Sequence, residues 1–212
     1  MKKLIPILFI SFVGLLSSCS DEHNLPIYGN RETKEVMVDG KTVVDTIYAT
    51  VPDFTFVNQD SFVVTQETVK GKIYIADFFF ASCPTICPIM KKQMIRVYEK
   101  YKGNSNVLLL SHTIDPEHDT IALLKDYATR LGSDGKQWMF LTGDREAIYD
   151  MAAQGYYATA MPDSTEPGGY VHSGGFILVD TQRRVRGIYN GTSEDEVTHL
   201  MKDMDILLKE NE

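Results

Sequence analysis

The chain is short of cysteine, has no basic run, and contains no apolar stretch long enough to span a membrane comfortably. Its 21 Lys and Arg stand against 29 Asp and Glu, a formal charge of -8. An acidic chain without a basic patch makes a poor nucleic-acid binder. No internal repeat or low-complexity segment is present. What remains, 43% hydrophobic and 24% charged residues over 212 positions, suits one globular domain with an ordinary core and a tail.

The tail is at the N-terminus. MKKLIPILFISFVGLLSSC has two lysines, an apolar run from Leu4 to Leu16, and small residues before Cys19. That is the layout of a secretory signal, too short for an easy membrane span. Leu16-Ser17-Ser18-Cys19 resembles a bacterial lipobox, which implies cleavage before Cys19 and lipid on that residue; an uncleaved anchor or a plain signal peptide is the alternative. Loss of Lys2 and Lys3 takes the formal charge from -8 to -10. A lipidated Cys19 leaves Cys83 and Cys87 as one pair in an oxidising compartment. The expected organisation is a signal peptide over 1–18, a polar tether over 19–32 and a folded domain over 33–212.

Asp39-Gly40 between alternating apolar residues predicts a hairpin, since both turn positions tolerate positive φ. Phe54–Val57 and Phe62–Val64 suggest a second. Ile73–Phe80 is nearly all apolar, as in a strand buried on both faces. Residues 87–101 form a helix with Met90, Met94 and Val97 on one stripe, and Val107–Ile114 is another buried strand. A helix over Thr120–Leu131 is closed by Gly132. Trp138–Leu141 is a strand and Arg145–Ala153 a helix. Phe176–Val179 and Arg184–Tyr189 form an antiparallel pair, and Ser193 to Glu196 is a capping box for a helix over 194–209. This order predicts an α/β, thioredoxin-like fold, a mixed central sheet flanked by helices, with N-terminal β-hairpin additions.

The chemistry is concentrated in FFFASCPTICPIM. Cys83 ends a strand and Cys87 begins a helix, where unpaired backbone N–H groups favour a thiolate. Pro88 suits the first helical turn. Three readings compete. A structural disulfide would close a very small loop, the kind that stabilises least. A redox couple is the second; such couples usually have two intervening residues, and this pair has three. The third is a metal clamp, since two thiolates favour Cu(I), and an added imidazole makes a site for either copper oxidation state or zinc.

Of five histidines, His23 lies in the tether, and His118 and His199 read as exposed. His112 falls inside a strand and reads as packed and hydrogen-bonded. His172 is different: it lies in GGYVHSGGFILVD, a glycine-rich loop just before a buried strand, where glycines permit a close backbone approach; a surface loop histidine is the alternative. In a thioredoxin-like sheet that strand start adjoins the cysteine loop. Thioredoxins place a cis-proline there; no proline adjoins it here, Pro167 being five residues earlier. Met90 and Met94 read as core, although thioethers could assist a soft metal. Lys41, Lys70, Lys72, Lys91 and Lys92 read as solvated surface or as a docking patch for an acidic partner.

Three ordered segments now resemble the Sco/SenC family of copper-binding proteins, over about Val51 to Leu208. Asp77 to Pro88 is similar to its CPxxCP segment, Ile114 to Thr120 to its DPExDT segment, and Tyr170-Val171-His172-Ser173 to its distal histidine segment. His112 and His118 depart from the pattern, standing where an apolar residue and usually arginine are expected. The resemblance implies a thioredoxin-like, membrane-anchored domain facing the periplasm, with Cys83, Cys87 and His172 as copper ligands for Cu(I) or Cu(II). It implies a role in assembling the binuclear copper centre of cytochrome c oxidase subunit II, by delivering copper, by reducing that subunit's cysteines, or both. Asp115 is the candidate for orienting His172; with Asp119 it could instead cap the following helix. Against the metallochaperone reading stands an enzyme, a thiol–disulfide reductase or thiol peroxidase using Cys83 and Cys87, and a third reading is a copper or redox sensor.

Overall fold

The computed structural model describes residues 25–210 except Pro167, and for His172 the backbone only. The stretch read as a signal peptide, Cys19 and His23 lie outside the described residues. Among those described, no helix is long and apolar enough to cross a membrane.

The centre is a sheet of seven strands. In chain order they are β3 (Thr55–Asn58), β4 (Val63–Thr65), β5 (Ile73–Phe79), β6 (Val107–Thr113), β7 (Trp138–Thr142), β10 (Gly175–Val179) and β11 (Val185–Asn190). Their spatial order is β11-β10-β5-β6-β7-β3-β4. β5, β6 and β7 run parallel, and the strands on either side are antiparallel to them. Every residue of β5 and β6 is buried, which is why both read as unbroken apolar runs rather than alternations.

One face of this centre presents Asp77, Phe79, Ser111, Trp138 and Phe140 to helices α2 (Ile86–Tyr101) and α3 (Ile121–Arg130). On α2 the stripe Met90, Met94, Val97 is wholly buried, so both methionines are core residues. The other face presents Tyr74, Phe78 and His112 to Phe56 and to Tyr156, which follows α4 (Arg145–Asp150) and a π-helical turn, Met151–Gly155. The last helix, α5 (Glu194–Glu210), packs on α2. Its predicted capping box is half present. Ser193 Oγ accepts the Glu196 N–H at 3.3 Å, but the Glu196 carboxylate turns to the Asn190 N–H at 2.7 Å.

The hairpin β1 (Arg31–Val38) and β2 (Lys41–Tyr48) turns at Asp39 and Gly40, both at positive φ, as the Asp-Gly pair predicts. It stands apart from the main sheet. Within the stretch read as a tether, Leu25 is buried, Arg186 donates to the Leu25 and Pro26 carbonyls, and the Tyr28 N–H donates to Val185. A short helix, α1 (Gln66–Val69), and a small ribbon of β8 (Ala160–Pro162) with β9 (Tyr170–His172) complete the fold.

Two buried polar groups depart from expectation. Lys91 is not surface. It is 2% exposed, with its Nζ 2.6 Å from Asp77, 3.2 Å from Ser111 Oγ and 4.2 Å from the Phe79 ring centroid. Helix phase puts it on the sheet side of α2, where only a carboxylate makes a buried ammonium tolerable. His112 is packed as expected but not hydrogen-bonded: neither ring nitrogen has a partner. Its ring stacks on Phe78 at 5.2 Å, and burial, with Lys91 nearby, holds its pKa down to about 3, so the ring is neutral.

Replacing Lys91 by Met leaves the Asp77 carboxylate buried without its cation and should cost about 3–5 kcal/mol in urea melts. The double variant Lys91→Met/Asp77→Leu should recover most of that loss.

Candidate functional site

β5 delivers the chain to Phe80, and the Cys83 N–H donates back to the Phe80 carbonyl at 3.2 Å. That turn ends the strand and starts the CPTIC segment over the C-terminal edge of the sheet. Pro88 occupies the third position of α2, where its missing N–H costs no helical hydrogen bond. Thr85 precedes the helix without a side-chain cap.

Cys83 and Cys87 are both thiols and both buried, at 8% and 1% exposure. Their environments differ in sign. Burial pushes the Cys83 thiol up, but the backbone N–H groups of Cys87 and Thr85, with the Cys87 and Thr85 side chains, outweigh it and leave the pKa below normal. Cys83 Sγ lies 3.6 Å from Thr85 Oγ1. Burial pushes Cys87 well above the usual thiol range, and proximity to Cys83 adds to this; the Phe80 backbone and the Lys91 charge only partly offset it. The pair is one thiol prepared to ionise and one held protonated.

The glycine-rich segment comes down on this loop. A Cβ at Gly168 would lie 2.7 Å from the Phe80 ring and 3.3 Å from Pro84 Cδ; one at Gly174 would lie 3.3 Å from Ile86 Cδ1. Both glycines also have positive φ, +91° and +63°. Between them runs β9, with the His172 backbone paired opposite Ala160. Val171, its neighbour, lines a cleft of about 160 Å³ together with Cys83, Thr85, Ile86, Glu166 and Tyr170. The segment expected to be a loop is thus a strand seated on the cysteine turn. Among the described residues no three His, Cys, Asp or Glu side chains gather as a metal-holding group; the His172 ring is not among the described side chains.

Asp115 and Asp119 are both buried, and neither caps α3. Thr120 does, its side chain accepting the Leu123 N–H at 3.3 Å. Asp119 ties the sheet to the cysteine turn instead, accepting from Thr113 Oγ1 at 2.5 Å and from the Ala81 N–H at 3.0 Å. Asp115 contacts His118 Nδ1 at 2.9 Å and lines one cleft with Tyr170. Burial and the nearby Asp115 carboxylate push the Tyr170 pKa up to about 12. His118 is exposed, as expected, and the Asp115 carboxylate raises its pKa. His199 is exposed too, 3.5 Å from Asp203. Asp119 and Tyr170 are the site-forming residues that sequence reasoning did not single out for these contacts; the aromatic just before a glycine-flanked histidine was the available signal.

The comparisons with known proteins agree with this architecture. A SCO1/SenC lipoprotein from Bacillus anthracis superposes with a TM-score of 0.69 at 28% identity, covering 75% of this chain and 95% of that one. BsSco, described as a Sco-family cytochrome c oxidase assembly protein with a disulfide switch, gives 0.66 at 32% identity, covering 74% and 92%. Copper-bound ScoI of Bradyrhizobium japonicum gives 0.57 at 25% identity, covering 73% and 99%. The fold is thioredoxin-like. The SCO1/SenC family model matches residues 45–206, and the chain is a member of the SCO1/SenC family.

Proposed function

We propose that this protein is a membrane-anchored copper metallochaperone for the binuclear copper centre of cytochrome c oxidase, holding Cu(I) or Cu(II) through Cys83, Cys87 and His172. One observation carries the reading: Gly168 and Gly174 let the strand bearing His172 lie directly on the turn that bears both thiols. Two sulfurs and an imidazole form a soft, three-donor set that suits copper in either state and leaves a position for an incoming ligand. A client cysteine, such as one of subunit II, would take that position, and the metal would pass by ligand exchange. The relatives fit this role: BsSco is described as a cytochrome c oxidase assembly protein, and ScoI was solved with copper bound.

Both sulfurs must be deprotonated to bind. Cys83 is already prepared for that, whereas Cys87 loses its proton to solvent as the metal binds, so uptake releases protons and tightens as pH rises. His172 binds as neutral imidazole, and Asp115 supports its strand from behind.

The contrast between the two thiols favours a second reading, thiol–disulfide exchange. Thiolate Cys83 attacks a client disulfide, releasing one client thiolate and forming a mixed disulfide. Cys87 then loses its proton and displaces the second client sulfur. The client gains two electrons and two protons, and Cys83 and Cys87 become a disulfide, which cannot hold copper. We further propose that Cys19 carries lipid and that the domain faces the periplasm; the Bacillus anthracis relative is described as a lipoprotein.

Residues 20–212, reduced under anaerobic conditions, should take up one Cu(II) with an intense sulfur-to-copper charge-transfer band. His172→Ala should weaken that complex by more than roughly 100-fold, the upper range for outer-shell changes alone. Oxidation of the thiols without a stable complex, the same in both proteins, would remove copper from the account. Limited alkylation of the metal-free protein should label Cys83 before Cys87, with a rate that reaches half its plateau below the ordinary thiol pKa of about 8.5. Cys19→Ser should move the protein from the membrane to the soluble fraction of the cell envelope, and an unchanged distribution would rule out lipid at Cys19 as the anchor.

A further inference from the structure

The strand that would supply the imidazole is weakly supported by itself. β9 is three residues long and pairs only with β8, in a two-stranded ribbon. Such ribbons are marginal in water without packing against something else. One side chain of β9 reaches both the cysteine turn and the end of β6. The Tyr170 ring lies 5.2 Å from the Phe80 ring, on the turn that leads to Cys83. Its phenol shares a cleft with the Asp115 side chain, and Asp115 is itself held, with its N–H on Thr113 Oγ1 at 3.1 Å and its carboxylate 2.9 Å from His118 Nδ1. Tyr170 also forms the wall between two clefts: the one that contains Cys83 and Val171, and one of about 410 Å³ that contains Ala81, Asp115, His118 and Arg130.

We propose that Tyr170 is a positioning residue for the metal site, clamping β9 onto the cysteine turn with its ring and tying it to the end of β6 with its hydroxyl. The inference rests on the copper reading above. It gives Asp115 a definite route of action: the carboxylate reaches the ligand strand through Tyr170, two residues before His172. Grips at two angles, apolar on one side and polar on the other, fix both the height of β9 over the turn and its rotation.

Tyr170→Phe keeps the ring and removes only the hydroxyl. In the metal-free protein, amide exchange in β9 should rise about tenfold, the loss expected for one hydrogen bond to a carboxylate. Amides of β5 and β10 should not change. Asp115→Asn should have a similar effect, and the double variant should add little, because the two substitutions break one link. The lifetime of the Cu(II) complex should fall by a comparable factor while one-to-one uptake and the thermal midpoint are kept, a pattern that general destabilisation would not produce. Unchanged β9 exchange in Tyr170→Phe overturns the inference. So does an Asp115→Asn effect of equal size in the Tyr and Phe backgrounds, since Asp115 would then act by another route. If the variant loosens β9 but copper leaves it at the wild-type rate, the positioning role fails and the copper reading stands. If the wild-type chain takes up no copper at all, the copper reading fails, and β9 exchange alone decides the clamp.

Discussion

The backbone at Gly168 lies so close to the Phe80 ring and Pro84 that a methyl group would not fit there, and at Gly174 it comes close to the Ile86 side chain. The rest of the site depends on this contact. It needs a residue without Cβ at 168 and a positive φ at both 168 and 174, and only glycine meets these conditions without strain. It also needs a firm floor. β5 and β6 are buried on both faces and paired in parallel along their whole length, and Asp119 ties the end of β6 to Ala81 at the start of the cysteine turn. A site made of a turn, a helix start and a short strand is thereby placed on the stiffest part of the fold.

Beneath the turn the electrostatics are equally constrained. Lys91 is one helical turn beyond Cys87 and would be an intolerable buried charge without Asp77; Ser111 joins both and also accepts from the Trp138 indole at 3.0 Å. This network locks α2, β5, β6 and β7 to one another just below the thiols. The thiols above it are unequal. Cys83 receives backbone N–H groups from the start of α2, whereas Cys87 is sealed among apolar side chains. In the proposed function this inequality serves both chemistries. The readily ionised sulfur meets the metal or the client first, and the sealed one commits only when the first bond has formed.

Much of this was legible in the sequence. Buried parallel strands lack any polar alternation, so Ile73–Phe80 and Val107–Ile114 were plain, and α2 and α3 followed from apolar spacing and from Gly132. GGYVHSGG announced a close backbone approach by its glycines. The misreadings have physical reasons. Lys91, beside Lys92 in a charged stretch, looked solvated because its phase on α2 and its distant partner Asp77 are properties of the packed sheet. His112 looked hydrogen-bonded because most buried imidazoles are; here aromatic rings enclose it on several sides. The alternative of Asp115 and Asp119 as helix caps rested on their preceding α3, yet Thr120 caps it, Asp119 reaches Ala81 and Thr113, and Asp115 contacts His118. β8 and β9 were missed because three-residue strands carry no usable periodicity.

The central claim is that two sulfurs and one imidazole of this chain share a metal ion. X-ray absorption at the copper edge on the loaded protein tests it most directly. The account predicts two sulfur scatterers and one imidazole per copper in the wild-type protein, with the imidazole signal lost in His172→Ala and both sulfurs retained. A sulfur-only shell that is identical in the two proteins, or a shell of oxygen and nitrogen alone, would contradict it.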